Sequence, residues 1–336
     1  MRLGGVSFRA RPRTWLVAAL TWGIALAGAV AVLLSGSVTM TPEEFWAALA
    51  GVGGRADMLL LWEFRMPRAL TGLVVGACLG AAGCLFQALS RNTLGSPEII
   101  GLTGGAALGA VASVIILQSF GWGTAIGAIA GCLGAALLTW VLSPRGFGGG
   151  NRLILIGLGV ASLIQPLTVL LLTRADSDSA TSARLWLTGT LNARNWSHAV
   201  VGGALLLVAL PFALLISRHL EAAAPGEDFA TGLGVSRRFT QWTATAVGVA
   251  LTATAVAVAG PISFIALAGP HVARRLLKGP TVPVGVAAST GAALLVIADL
   301  VGANLPGGLQ LPVGVTAGLL GGAYLLLLLN GQERKR

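Results

Sequence analysis

The sequence predicts an all-α polytopic membrane protein, and three observations carry that prediction. Of 336 residues, 55% are hydrophobic and only 10% are charged, against about a quarter charged in ordinary soluble domains. Apolar runs approaching ~20 residues, the length that crosses a bilayer, recur along the whole chain. The remaining charges gather at the ends of those runs. The net charge of +10 is therefore a topology signal and not a nucleic-acid footprint, because the basic residues form no continuous patch and do not alternate with stacking aromatics.

Ten membrane segments are expected, at residues 15–35, 68–89, 99–118, 121–142, 152–173, 197–217, 241–259, 262–272, 283–301 and 313–330. The first follows Arg2, Arg9, Arg11 and Arg13 and superficially resembles a secretion signal. It is longer than the ~7–15 residues of a signal's apolar core, so it reads as an uncleaved first helix. With both termini placed in the cytoplasm, only Arg55, Arg65, Arg68, Arg174, Arg184 and Arg194 of the 22 basic residues fall outside. That satisfies the positive-inside rule and sets the orientation of the chain. Trp15, Trp46, Trp62, Trp122, Trp140, Trp186, Trp196 and Trp242 lie at or beyond segment ends, where an amphipathic ring prefers the interface, and Trp22 alone lies well inside. Cys78, Cys84 and Cys132 sit inside apolar runs without paired spacing or nearby histidines. They read as packing residues, with no disulfide, metal site or cofactor implied.

Many of the 48 glycines share a helical face: Gly76 with Gly80, Gly105 with Gly109, Gly127 with Gly131. Helices in lipid gain little hydrophobic energy from meeting, so close backbone approach through small residues drives their association. These pairs predict a tightly packed bundle. The stretch "PISFIALAGPHVARRLLKG" (261–279) is different. Its apolar part, bracketed by Pro261 and Pro270, is too short to cross, yet the ten-segment topology needs it to return the chain to the side of Arg274, Arg275 and Lys278. A helix broken there exposes backbone groups that lipid cannot satisfy, so it must be wrapped in protein or line a wet cavity, as broken helices of transporters do.

Several motifs in order resemble one family, the permease subunits of ATP-driven importers for ferric siderophores, haem and vitamin B12. The stretch "RMPRALTGLVVGACLGAAGCLFQALSRNTLGSPEIIGLTGGAALGA" (65–110) is similar to the family's signature. So are "GPISFIALAGPHVARRL" (260–276), "ADLVGANLPGGLQLPVGVTAGLLGG" (298–322), "LWLTGTLNARNW" (185–196) and "LGVSRR" (233–238). The wording looks most like the ferric-enterobactin type, which implies a catecholate iron chelate as cargo. Two positions depart from the pattern. Thr93 stands where the family usually has proline, and Ala303 where some relatives carry arginine.

The resemblance implies the ten-helix fold of type II ABC importer permeases over residues 1–336 as a single domain. It also implies a second permease, a sibling in a heterodimer rather than a second copy, together with two cytoplasmic ATPase subunits and an extracytoplasmic binding protein. The chain has no Gly-x4-Gly-Lys-Ser/Thr loop to cradle phosphates, so it is expected to be no enzyme. By the same resemblance, Arg65 and Arg68 dock the binding protein through its carboxylates. Asn92 and Leu94 narrow the cytoplasmic exit, and Glu227, Asp228, Phe229, Leu233 and Gly234 in the 218–240 loop couple to the ATPases. His271 is expected to be a structural histidine bonding freed carbonyls, and Asp299 a structural carboxylate. Two alternatives stand beside this reading: haem or vitamin B12 as cargo, and an ion-coupled secondary transporter that uses the broken helix as its site.

Overall fold

The computed structural model describes residues 2–3, 6–7, 12–36, 40–143, 150–222, 232, 234, 236–279, 281–306 and 309–333. Two-residue strands β1 (Arg2–Leu3) and β2 (Val6–Ser7) pair antiparallel ahead of a helical bundle. Each expected segment appears as a helix: α1 (Pro12–Leu34), α4 (Met66–Ser90), α5 (Leu102–Ile115), α6 (Trp122–Leu142), α7 (Asn151–Arg174), α9 (Trp196–Ala222), α10 (Arg237–Ala259), α11 (Ile265–Leu277), α12 (Val284–Ala303) and α13 (Val313–Glu333). Among the described residues, seven helices are long and apolar enough to cross a membrane, and Leu102–Ile115 and Val313–Leu327 are shorter apolar helices.

Three further helices lie between these segments. In α2 (Pro42–Leu49), Thr41 Oγ1 accepts from the Glu44 N–H while Glu44 accepts from the Thr41 N–H, a reciprocal capping box. In α8 (Ser177–Leu187), the Asp176 carboxylate accepts from the Ser179 N–H. The third, α3 (Arg55–Leu59), runs through a π-helical turn, Leu60–Arg65, straight into α4. That continuous rod of 36 residues measures about 54 Å at 1.5 Å per residue. It outruns a hydrocarbon core of about 30 Å, so the segment expected at 68–89 is the inner part of a longer helix.

Helix α4 is the hub, packed by α1, α9, α10, α11 and α12. Its glycines explain how so many helices reach it. A Cβ on Gly76 would stand 2.6 Å from the Gly291 carbonyl oxygen and 2.7 Å from Ala292 Cα, so α4 and α12 touch backbone to backbone. Gly105 and Gly109 of α5 meet Gly127 and Gly131 of α6 in the same way. The spacing on each strip was visible in the sequence; which strip meets which was not. Thr21 and Ser289, hydroxyls 2.6 Å apart and buried, then pin α1 to α12.

The break in the chain is not bounded as its prolines suggest. Residues 260–264 are non-helical, and α11 starts at Ile265 and runs through Pro270. A proline inside a helix removes the N–H that would serve the carbonyl four residues earlier. Here that carbonyl belongs to Ala266 and packs against Gly83 of α4, while Gln87 Nε2 donates to the next one, Leu267 O. The helix continues because α4 covers the defect.

Candidate functional site

Irregular backbone in the middle of the bundle marks the site. Val258, at the end of α10, meets Val74 of α4 around Gly202, and Ala266, at the start of α11, meets Gly83. The nine steps from Val74 to Gly83 span about 13 Å of α4, and the non-helical residues 260–264 lie within this interval. Its partners are irregular too. The Thr190 N–H donates to Ala259 O at 2.9 Å, and the Gly314 N–H donates to Gly189 O at 3.0 Å. Gly189 and Gly260 both have positive φ, and a Cβ on Gly260 would lie 2.7 Å from the Trp186 carbonyl. Residues 188–190, 260–264 and the approach to α13 thus form one seam.

The seam is half-open. Pro261, Ser263, Phe264, Thr188 and Thr190 are each partly exposed. Irregular backbone cannot face acyl chains, so this side of the molecule is turned to water or protein. The turn after α4, residues 96–101, abuts the same place. The Phe264 N–H donates to Glu98 Oε2 at 3.3 Å, and Thr139 Oγ1 donates to Ile100 O at 3.2 Å. Among the described residues of these segments, Glu98 is the sole charged side chain.

Arg65 and Arg68 sit at one end of α4, and both turn inward. Arg65 is buried and donates to the Leu33 carbonyl at the end of α1. Arg68 makes a two-pronged ion pair with Asp299 of α12, Nε to Oδ2 at 2.9 Å and Nη2 to Oδ1 at 2.7 Å. A docking partner's carboxylate would therefore compete with Asp299 for Arg68. At the opposite end of α4, Asn92 Oδ1 accepts the Leu94 N–H and Asn92 Nδ2 donates to Asn151 Oδ1, both at 2.9 Å. This ties the turn to the start of α7 and leaves Leu94 exposed. Of the coupling residues, Glu227, Asp228, Phe229 and Leu233 lie outside the described residues. Gly234 is a positive-φ turn residue with open space around it. His271 faces Tyr324 edge-on, ring centroids 6.4 Å apart, and its Nδ1 has no hydrogen-bond partner among the described residues, so it bonds no freed carbonyl through that atom.

Sequence reasoning missed Glu98 and the pairing of Arg68 with Asp299, because both contacts join residues far apart in the chain. It also missed the aromatic pairs, although it placed their tryptophans at segment ends. Trp62 stacks on Trp196, Trp122 stacks on His198, and Trp140 packs on Trp242.

The model of the FecCD transport family matches residues 24–330. The chain belongs to the FecCD transport family. Among FecCD relatives, it is 38% identical to the ferric enterobactin transport system permease protein FepG of Escherichia coli (strain K12) over 304 residues, covering 90% of this chain and 92% of that one. It is 33% identical to a probable siderophore transport system permease protein, YfhA, of Bacillus subtilis (strain 168), covering 95% and 96%. It is 36% identical to the Fe(3+) dicitrate transport system permease protein FecD of Escherichia coli (strain K12), covering 93% and 98%. Its fold is similar to that of a protein described as a metal-chelate type ABC transporter in an inward-facing conformation. There the TM-score is 0.83 and the identity 25%, over 94% of this chain and 99% of that one. The FecCD chain is a multi-pass transport permease and not an enzyme.

Proposed function

We propose that this FecCD chain is the permease of an ABC importer that moves a ferric siderophore of the catecholate type across the cytoplasmic membrane. The seam of irregular backbone at mid-bundle supports a pathway, because backbone of that kind needs a wet or protein-lined surface. The 38% identity to FepG supports the catecholate class. Residues 1–336 act as one permease domain with both termini cytoplasmic. A sibling permease closes the other half of the conduit, two ATPase subunits engage the 218–240 loop through Glu227, Asp228, Phe229, Leu233 and Gly234, and a binding protein delivers cargo at the end marked by Arg65 and Arg68. The Asn92–Leu94 turn forms the inner constriction.

The deciding experiment is radioactive iron uptake by a strain lacking the gene, complemented with it. Uptake of a ferric tris-catecholate should be restored while ferric hydroxamate, ferric citrate, haem and vitamin B12 uptake stays unchanged. Restoration of another cargo in its place overturns the catecholate assignment. An ion-coupled mechanism would need uncompensated charge at mid-membrane. The buried charged residues among those described are Arg65 and Asp299, both at one end of the bundle and both engaged, and the carboxylate at the seam, Glu98, is partly exposed and accepts from the Phe264 N–H. Solute accumulation by the permease alone in vesicles, driven by a proton or sodium gradient, would overturn the ATP-driven reading.

A further inference from the structure

Helix α11 is held at both ends by charged side chains from elsewhere in the chain. At its C-terminal end, Arg13 of α1 donates from Nε and Nη2 to the Leu276 carbonyl, at 3.1 and 2.9 Å. Arg274 and Arg275 occupy its own last turn. Cations there oppose the negative end of the helix dipole. The N-terminal end lies at the break inside the bundle, and its N-cap residue, Phe264, provides no side-chain cap. The first N–H groups of any helix lack internal partners, and such groups are costly at membrane depth. One of them, the Phe264 N–H, is met by the Glu98 carboxylate from 166 residues away.

The local conformation needs that support. Phe264 has φ of +70°, a left-handed setting that is costly for a bulky residue and persists only where neighbours impose it. Gly321 of α13 permits it, because a Cβ at that position would overlap the Phe264 ring. On the other side, Glu98 belongs to the turn that begins at Arg91. This turn is anchored independently by Asn92 to Asn151 and by Thr139 to Ile100.

We propose that Glu98 is a positioning residue: its carboxylate is the resident counter-charge of α11's partly buried N-terminus and ties the 91–101 turn to the break in the bundle. Movement of the turn relative to α11 uncovers the N-terminus, so the two move together through the transport cycle. This rests on reading the chain as an importer's pathway, and the test separates the two. The assembled importer, reconstituted in lipid with Glu98→Gln, Glu98→Ala or Glu98→Asp, is followed by amide hydrogen exchange and by iron chelate transported per ATP hydrolysed.

Loss of the charge should raise exchange at residues 264–267 about tenfold in Gln and Ala, the scale of a charge placed at a partly buried helix terminus. Exchange in α10 and α12 should stay unchanged. Transport per ATP should fall by about the same factor with the KM for loaded binding protein unaltered, and Asp should recover part of both. A Gln variant that matches the wild type in exchange overturns the proposal. So does raised exchange spread through α10 and α12, or raised exchange with undiminished transport. Failure of the wild type to move a ferric catecholate would instead count against the cargo assignment, and the exchange result would still decide the role of Glu98.

Discussion

Replacing Asp299 with alanine should loosen one end of α4 from α12 and lower the melting temperature measurably. The Arg68–Asp299 pair is two-pronged, with side chains 23% and 4% exposed. A buried pair adds little over a well-packed apolar substitute, but removing one member strands the other's charge at a cost of about 3–5 kcal/mol. Unfolding entropy of about 2.1 cal/mol/K per residue gives about 0.7 kcal/mol/K for a chain of this length. The midpoint should therefore fall by about 4–7 °C in a thermal melt of the permease in lipid nanodiscs. Replacing both Arg68 and Asp299 with leucine removes the stranded charge and should recover most of that loss. An Asp299→Ala melt that coincides with the wild type would refute the reasoning. The same variants bear on docking: if the binding protein engages Arg68, Asp299→Asn frees the guanidinium and should tighten docking severalfold, whereas the double leucine variant should weaken it.

Gly76→Ala pushes a methyl group into the backbone of Gly291 and Ala292. Overpacking of this kind costs about 1–3 kcal/mol and should lower the midpoint, while Gly134→Ala, with nothing nearby, should leave it unchanged. Asn92→Ala cuts the turn from Asn151 and should raise ATP hydrolysis in the absence of cargo, measured on the reconstituted importer. The Ser179 N–H holds the Asp176 carboxyl below its ordinary value. A depressed carboxylate contributes stability that is present above its unfolded value of about 3.9 and lost as pH falls through the folded one. Hydrogen exchange at the start of α8 should therefore rise only under strong acid in the wild type. In Asp176→Asn it should show no such acid-dependent step.

What the sequence revealed divides along a physical line. Features set by neighbours within a few turns were legible, because lipid imposes them locally: a run near twenty apolar residues becomes a helix, Gly-x3-Gly becomes a contact strip, and tryptophans stop at segment ends. Helix α2 was missed for a local reason, since its capping box sits in a short polar segment that a search for membrane-length runs passes over. The pairs that fix the site were invisible for a different reason. Thr21 with Ser289, Arg68 with Asp299, and Glu98 with Phe264 each lie more than 150 residues apart, and no periodicity relates them. The broken helix shows both effects at once. Pro261 and Pro270 announced that something near residue 265 could not be an ordinary span. Where it breaks depends on Gly83 and Gln87 of α4, which cover the carbonyls around Pro270, and on Glu98, which meets the N–H at Phe264. A proline weakens a helix at its own position, but the neighbouring helices decide whether the chain gives way there. In this protein it holds at Pro270 and gives way six to ten residues earlier, at 260–264, where Glu98 meets the Phe264 N–H.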